Sequence, residues 1–416
     1  MTLTFGIYPG GLGVTDDDLV TQGPPEDSEK IAAALDALHG DNPFLVRGYV
    51  HYDDATHRAA RLSAASSGPA PAAVAPPGSA SASLMSAGPA PVAVVPSGSA
   101  SASLMSAGPA PGASASSGAG PDALASSGSA SASLMSAGSA PVSAVPAASA
   151  SVSALRVLEA PPEPFQYATG RRRLDLVACF RERGSDLTGW HDFLREQLRV
   201  HGPRLASLQI TEEANHAGPG GDGRSPAVRD ALVTGVIEAK REAVRLGLDV
   251  RIGCNSTLDF SPEQEFWTDL GERGGDEFRA ALDYVGLDFF PDVFHPLPAD
   301  RLPAIVTGAL TGFRTLSLAA AGIPDSVPMR ITEHGWGTGP DRSYARQAEV
   351  LTLVIGIVAE QAATLNIDTY EHFALRDADS DNPNPLFQLG LLRSDYTPKP
   401  AFAVYRDLIA SSSRSA

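Results

Sequence analysis

Outside one long stretch, the chain alternates short apolar runs with longer segments whose apolar positions recur every three or four residues. LTFGIYP (3–9) and FLVRGYVHY (44–52) have the length and composition of strands, and between them EDSEKIAAALDALH (26–39) places Ile31, Leu35 and Leu38 at helical spacing before Gly40. The same alternation resumes at LDLVACF (174–180). LASLQIT (205–211), DVRIGCN (249–255), YVGLDFF (284–290), PMRITEH (328–334) and IDTYEHF (367–373) follow as strands. Helical patterns follow them or lie between them, over Asp186 to about His201, 226–246, about 263–282, about 302–321, 343–363 and 400–409. Eight apolar strands, seven followed by a helix, predict an α/β fold of the (β/α)₈ TIM-barrel type. The turn after the first strand, PGGLG (9–13), lacks the spacing of a dinucleotide-binding loop, which weakens the rival reading of an open doubly wound sheet.

The exception to the pattern is residues 63–155. This stretch has no aromatic residue, no Lys, Arg, Glu or His, and the single acid Asp122. A phrase beginning GSASASLMSAG occurs at Gly78, Gly98 and Gly128, at unequal offsets that do not fit a solenoid. Ala, Ser, Pro and Gly have little side chain to bury against the entropy of ordering, so the stretch reads as a low-complexity, disordered insert. It interrupts the connection between the second and third strands. The barrel is then made of 1–62 (strands one and two) and 156–416 (strands three to eight), and one large domain suffices for 416 residues. A flexible tether or partner surface is the alternative role for the insert, with Leu84, Met85, Leu104, Met105, Leu134 and Met135 as sparse anchors.

Composition narrows the function. A net charge of −17 repels phosphate backbones, so no nucleic-acid partner is expected. Cys179 and Cys254 each sit in an apolar run and read as buried free thiols. The N-terminus MTLTFGIYPGG has no basic segment leading into an apolar core, so no signal peptide is visible. No uninterrupted apolar run approaches the length of a membrane span. The expectation is a cytoplasmic protein with no membrane partner.

In such barrels the working residues lie at the C-terminal ends of the strands and in the loops beyond them. The fourth strand ends in Thr211-Glu212-Glu213-Ala214-Asn215-His216 and the seventh in Thr332-Glu333-His334-Gly335-Trp336. Carboxylates from these strands face each other across the rim. That is the arrangement that acid/base-assisted glycosidic cleavage requires, with one group protonating the leaving oxygen while the other attacks the anomeric carbon.

These stretches resemble a large clan of retaining (β/α)₈ glycoside hydrolases, which carry a general acid/base after strand four and a nucleophile after strand seven. QITEEAN (209–215) resembles the clan's Asn-Glu-Pro motif, MRITEHGW (329–336) its nucleophile strand, and FALRDADSDNPNPLFQLGLLRSDYTPKPAFAVYRDL (373–408) its closing segment. The resemblance implies Glu213 as acid/base, Glu333 as nucleophile, a carbohydrate substrate and no cofactor or metal. Three positions depart from the clan: Glu212 stands for its Asn, Ala214 for its Pro, and Phe290 for a strand-six Tyr. A second carboxylate beside Glu213 raises the pKa of one of the pair by like-charge repulsion, and a barrel that binds a glycan or a protein partner without cleaving is the alternative. Because strand neighbours point to opposite sides, only one of Glu212 and Glu213 is expected to face the cavity.

Further candidates surround these two. Arg47 has two readings, a hydrogen bond to Glu333 that keeps it ionised or a salt bridge beneath the barrel. His51, Tyr52, Glu212, Asn215, Asn255, His295, His334 and Trp336 are subsite candidates, Trp336 as a platform for a sugar face; ordinary loop roles are the alternative for each. Asp377, Asp379 and Asp381 alternate in the strand-eight loop, but Asn382 and Gln388 stand where a calcium loop needs Gly and Glu, so a solvated acidic loop is expected. No His or Cys cluster has zinc spacing and no GxSxG elbow occurs. Oligomeric state is not legible in these features.

Overall fold

The structure, a computed structural model, describes residues 3–14, 20–22, 26–52, 164–182, 184–218 and 220–412. The low-complexity stretch 63–155 lies outside the described residues. Ten strands are present among the described residues: β1 Thr4–Ile7, β2 Leu12–Val14, β3 Val20–Gln22, β4 Phe44–Tyr52, β5 Arg172–Phe180, β6 Leu205–Ile210, β7 Arg251–Ser256, β8 Tyr284–Asp288, β9 Met329–His334 and β10 Ile367–His372. β1 and β4 to β10 pair in parallel and close into one barrel in the order β1-β10-β9-β8-β7-β6-β5-β4. The chain is therefore an α/β protein with a (β/α)₈ TIM barrel, as the alternation predicts. Periodicity does not reveal one feature, the antiparallel β2–β3 pair beyond the first barrel strand.

The helices are α1 Ser28–His39, α2 Thr188–His201, α3 Val228–Leu246, α4 Glu265–Ala281, α5 Leu302–Gly312, α6 Tyr344–Leu365 and α7 Pro400–Ser412. Asp27 caps α1 by accepting the Lys30 amide at 3.1 Å, and Ser343 caps α6 by accepting that of Arg346 at 3.1 Å. α5 runs on as a π-helix over Phe313–Leu318. Among the described residues one helix, α6, has the length and mean hydropathy (1.5) of a membrane span, which the search for unbroken apolar runs does not register. Its Val350, Val354, Ile355 and Val358 are buried in the core between helices and strands.

Strand alternation sorts the side chains. Val46, Leu174, Leu176, Leu208, Ile210, Ile252, Cys254, Val285, Leu287, Met329 and Ile331 enter the main apolar core between strands and helices. The alternate positions Arg47, Tyr49, Asp175, Ser207, Gln209, Asn255, Asp288, Arg330 and Thr332 are polar yet buried, and they bond to one another inside the barrel. Both cysteines are buried and free.

The strand-eight loop is a solvated acidic segment only in part: Asp381 is exposed and Asp379 half-buried, but Asp377 is neither. Asp377 is fully buried beside the equally buried Lys399, with Nζ 2.7 Å from Oδ1. The same ammonium donates to Thr338 Oγ1 at 3.0 Å and to the Gln388 carbonyl at 3.1 Å, tying the loops after β9 and β10 to the start of α7. Lys399→Met strands a buried carboxylate and is expected to cost about 3 kcal/mol of stability, read as a lower midpoint in urea unfolding. An unchanged midpoint contradicts this role.

Candidate active site

The site begins with a turn that breaks the strand pattern. Beyond β6, Thr211 and Glu213 have φ of 64° and 39°, in the left-handed region that β-branched and acidic residues rarely occupy. The Thr211 amide donates to the Ala178 carbonyl at 2.9 Å, and Asp222 Oδ2 accepts the amides of Glu212 at 2.8 Å and Phe180 at 2.7 Å. These anchors hold the turn against β5 and offset a conformational cost on the order of 1–3 kcal/mol per residue. The twist cancels strict alternation, so both Glu212 and Glu213 are fully buried among the site residues. The expectation that only one of them faces inward fails for this reason. Burial pushes the Asp222 carboxyl up to about 7, against the opposing charge of Arg181.

Glu333 reaches the barrel interior through a second irregularity. The β8–β9 register steps from Leu287↔Ile331 to Asp288↔Glu333, and β9–β10 pairing shifts between Ile331 and His334. A bulge of this kind re-aims the side chains that follow it. Arg330 and Thr332 point inward by alternation, Glu333 also turns inward, and His334 then points outward to Tyr370.

Arg47 is the hub of what these irregularities bring together. Its Nη1 lies 2.6 Å from Asp175 Oδ2, Nη2 donates to Gln209 Oε1 at 3.1 Å and to Glu212 Oε2 at 3.3 Å, and Nε donates to the Tyr49 hydroxyl at 2.9 Å. Nε also lies 3.5 Å from Glu333 Oε1, which accepts the Tyr49 hydroxyl. Asp175 takes one edge of the guanidinium in a salt bridge beneath the rim, and Glu212 and Glu333 approach the others; Arg47 lowers the Glu333 pKa but is outweighed by burial and the neighbouring acids. Asn255 accepts the Glu213 amide at 2.8 Å on Oδ1 and donates through Nδ2 to Glu212 at 3.3 Å and to Asp288. Asp288 accepts Thr332 Oγ1 at 2.7 Å. Gly286 keeps this corner open, because a Cβ there would lie 2.5 Å from Thr332 Oγ1.

Four buried carboxyl groups thus cluster at the rim, and two of them, Glu212 and Glu333, share with Asp175 one guanidinium. Burial raises Glu333 well above the carboxylate range, Asp288 and Glu212 raise it further, and Arg47 opposes them. Asp288 is raised well above its usual value by burial and then by Glu212. Glu212 is raised by burial, with Arg47 and hydrogen bonds from Glu333 and Gln209 opposing. Oxygens of Glu212, Asp288 and Glu333 lie within 4.8 Å of one another, close enough to hold a cation. The Arg47 guanidinium already supplies positive charge to two of the three, and like charge disfavours a dication beside it.

The remaining candidates divide. Arg47, Glu212, Glu213, Asn255 and Glu333 converge. His51 lies on the same strand face as Arg47 and Tyr49, and burial followed by the charge of Arg181 pushes its pKa down to about 3. Asn215 exchanges hydrogen bonds with Thr257 at 3.0 and 3.1 Å and pins the loop. Tyr52 packs outside the barrel with Phe180, Trp190 and Phe193. His334 bonds Tyr370, and its pKa falls to about 3 by burial. His295 is exposed in the loop after β8. Trp336 is 3% exposed, with its indole donating to Asp292 Oδ2 at 3.0 Å and the Arg342 guanidinium 3.7 Å from its ring centre. Phe290 joins a rim cluster with Tyr8, Tyr49 and Phe373. Tyr49, Asp175, Gln209 and Asp288 complete the site without standing out in the sequence, although each is a polar residue at the inward period of an apolar strand.

No protein-family model and no curated protein matches the chain. Among solved structures, it is similar to a glycoside hydrolase family 17 beta-1,3-glucanosyltransferase from Rhizomucor miehei, at 17% identity and TM-score 0.40, over 56% of this chain and 76% of that one. It is also similar to a glucosidase from Croceicoccus marinus (12%, TM-score 0.45, 58% of this chain and 50% of that one). A b-glucuronidase from Ruminococcus gnavus gives 10%, TM-score 0.44, and 60% and 41% coverage. The chain spans half or less of the length of the last two.

Proposed function

We propose that the protein hydrolyses O-glycosidic bonds by retaining double displacement, with Glu333 as nucleophile and Glu213 as acid/base. The observation that carries this reading is the pairing of a buried Glu333, held by the Tyr49 hydroxyl beside Arg47, with a buried Glu213 delivered from the fourth barrel strand. Glu333 attacks the anomeric carbon while Glu213 gives its proton to the leaving oxygen. Glu213 then takes a proton from water, which releases the sugar from Glu333. No cofactor enters either step.

Proton NMR of the first sugar released from a panel of aryl β-glycosides tests this. The β-anomer is expected before mutarotation, and the α-anomer overturns the retaining mechanism. The full burial of Glu212, Glu213, Asp288 and Glu333 favours a second reading, a barrel that binds a glycan without cleaving it. Absence of turnover on the panel together with sugar binding by calorimetry supports that reading instead.

A further inference from the structure

The mechanism above gives Glu212 no part, and its surroundings assign one. Oxygens of Glu212 and Glu333 lie within 4.8 Å of each other in a fully buried cluster, and both carboxyls abut the one Arg47 guanidinium, which Asp175 also occupies. Two buried carboxyls this close repel each other when both are ionised, and a shared proton relieves that repulsion. Glu212 Oε1 and Glu333 Oε2 have no hydrogen-bond partner among the described residues. The opposite oxygens are unequally served. Glu212 Oε2 accepts from Gln209 Nε2 at 2.7 Å, Arg47 Nη2 at 3.3 Å and Asn255 Nδ2 at 3.3 Å. Glu333 Oε1 accepts from Tyr49, with Arg47 Nε at 3.5 Å. Three donors, one of them cationic, stabilise charge better than one neutral hydroxyl with a more distant cation, so the anion of the pair sits on Glu212 and the proton on Glu333.

We propose that Glu212 is a positioning residue that gates the nucleophile, holding Glu333 protonated in the resting site and taking that proton on Oε1 when Glu333 attacks. The inference rests on Glu333 being the nucleophile. The step balances: one proton passes from Glu333 to Glu212, Glu333 bonds to the anomeric carbon, and the leaving oxygen departs with the proton of Glu213. The pair carries one negative charge before the step, and Glu213 carries it afterwards. The titratable and charged groups facing Glu212 are Arg47 and Tyr49 from β4, Cys179 at the end of β5 with Arg181 beyond it, Asp288 from β8, Glu333 from β9, and Asp222 and Glu213 at its own turn. Arg47 and Arg181 favour the charge on Glu212 and the surrounding acids oppose it, so the pair titrates as a unit.

Glu212→Gln keeps an acceptor for Arg47, Gln209 and Asn255 and gives Glu333 an amide donor in place of a competing acid. It removes one negative charge from beside Glu333. The test is a carbon-13 titration of the side-chain carboxyls in the full chain labelled at Glu Cδ, with Glu333 assigned by its loss in Glu333→Gln. In Glu212→Gln, the Glu333 signal is expected to titrate in a single step, about one pH unit or more below its midpoint in the parent. The acid limb of kcat/KM moves down with it, so the variant gains activity relative to the parent at low pH. A Glu333 midpoint that stays in place or rises overturns the proposal. If Glu212→Gln does not fold, Glu333→Gln reads the same pair from the other side, and a Glu212 midpoint unmoved there overturns the proposal equally. A shifted midpoint with no turnover on any glycoside upholds the shared proton and sinks the hydrolase reading instead.

Discussion

Glu333→Gln is expected to abolish turnover, with kcat falling by on the order of 10⁴-fold or more, while the fold is kept or becomes more stable. The chemical loss follows from the role, since an amide cannot form the glycosyl ester that splits the reaction in two. The stability expectation follows from burial. Glu333 is fully buried among Glu212, Glu213 and Asp288, with the Arg47 guanidinium beside it, and the cost of keeping a carboxyl there appears as its raised pKa. A neutral isostere keeps the contact with Tyr49 and removes the cost of protonating this carboxyl on folding near neutral pH. Kinetics on a cleavable aryl β-glycoside, paired with a thermal melt, check both parts. A variant that melts far below the parent shows a structural role, and one that retains the parental rate removes Glu333 from the mechanism.

Glu213→Gln is the second large effect, and its signature is dependence on the leaving group. A general acid contributes on the order of 10²- to 10⁴-fold, and it is needed most where the departing oxygen is basic. The loss is therefore expected to be greatest on unactivated glycosides and least on nitrophenyl glycosides, whose aglycones leave without protonation. The environment of Glu213 suits a proton donor. It is fully buried with Glu212, Asp288 and Glu333, a surrounding that favours the neutral form of a carboxyl over its anion. Glu212→Gln is not expected to share the leaving-group dependence. A Brønsted plot of kcat/KM for the three proteins separates the two neighbouring glutamates, and equal slopes in the parent and Glu213→Gln contradict the assignment.

Much of the barrel is legible in the sequence because each strand is a buried apolar run bounded by turn residues, and that pattern survives without knowledge of tertiary contacts. YVGLD and LASLQI read as strands for this reason, and both are strands. The short β2–β3 pair is not legible, because its strands are three residues each and too short to show a period. The rim positions of Glu213 and Glu333 follow from their places after strands four and seven. Their orientation does not. Strict alternation puts Glu333 on the same side as Ile331, and only the β8–β9 register shift turns it inward. In the same way the left-handed φ of Thr211 decides where Glu212 points, and a Thr gives no local hint of it. Asp288 and Tyr49 are a different case. Each sits in the polar half of a period-two pattern, Tyr284-Gly286-Asp288 and Arg47-Tyr49-His51, so closer attention to inward parity finds them. Trp336 is a further case: an aromatic beside the Glu333 stretch invites a sugar-platform role, and the contacts of its indole with Asp292 and its ring with Arg342 are not legible locally.

The charge balance of the site departs from a simple two-carboxylate picture. Arg47 divides itself between Asp175 below and Glu212 and Glu333 above, and Asp175 in turn accepts Ser207, which accepts Arg330 at 3.0 Å. A polar column therefore runs along the barrel interior to the rim and fixes the guanidinium from beneath. With one guanidinium beside four buried rim carboxyls and touching only two of them, protons must make up the difference. On the proposed mechanism, the outcome turns on which carboxyl gives up its proton to become the nucleophile.

The most direct measurement is covalent trapping. The protein is incubated with a 2-deoxy-2-fluoro-β-glycoside of a sugar it cleaves, bearing an activated leaving group, and digested for peptide mass mapping. With Glu333 as nucleophile, one fluorosugar per chain is expected, esterified to Glu333 within the stretch ITEHGWGTG. A label on Glu212, Glu213 or Asp288, or complete absence of label while the parent glycoside is hydrolysed with inversion, contradicts that assignment.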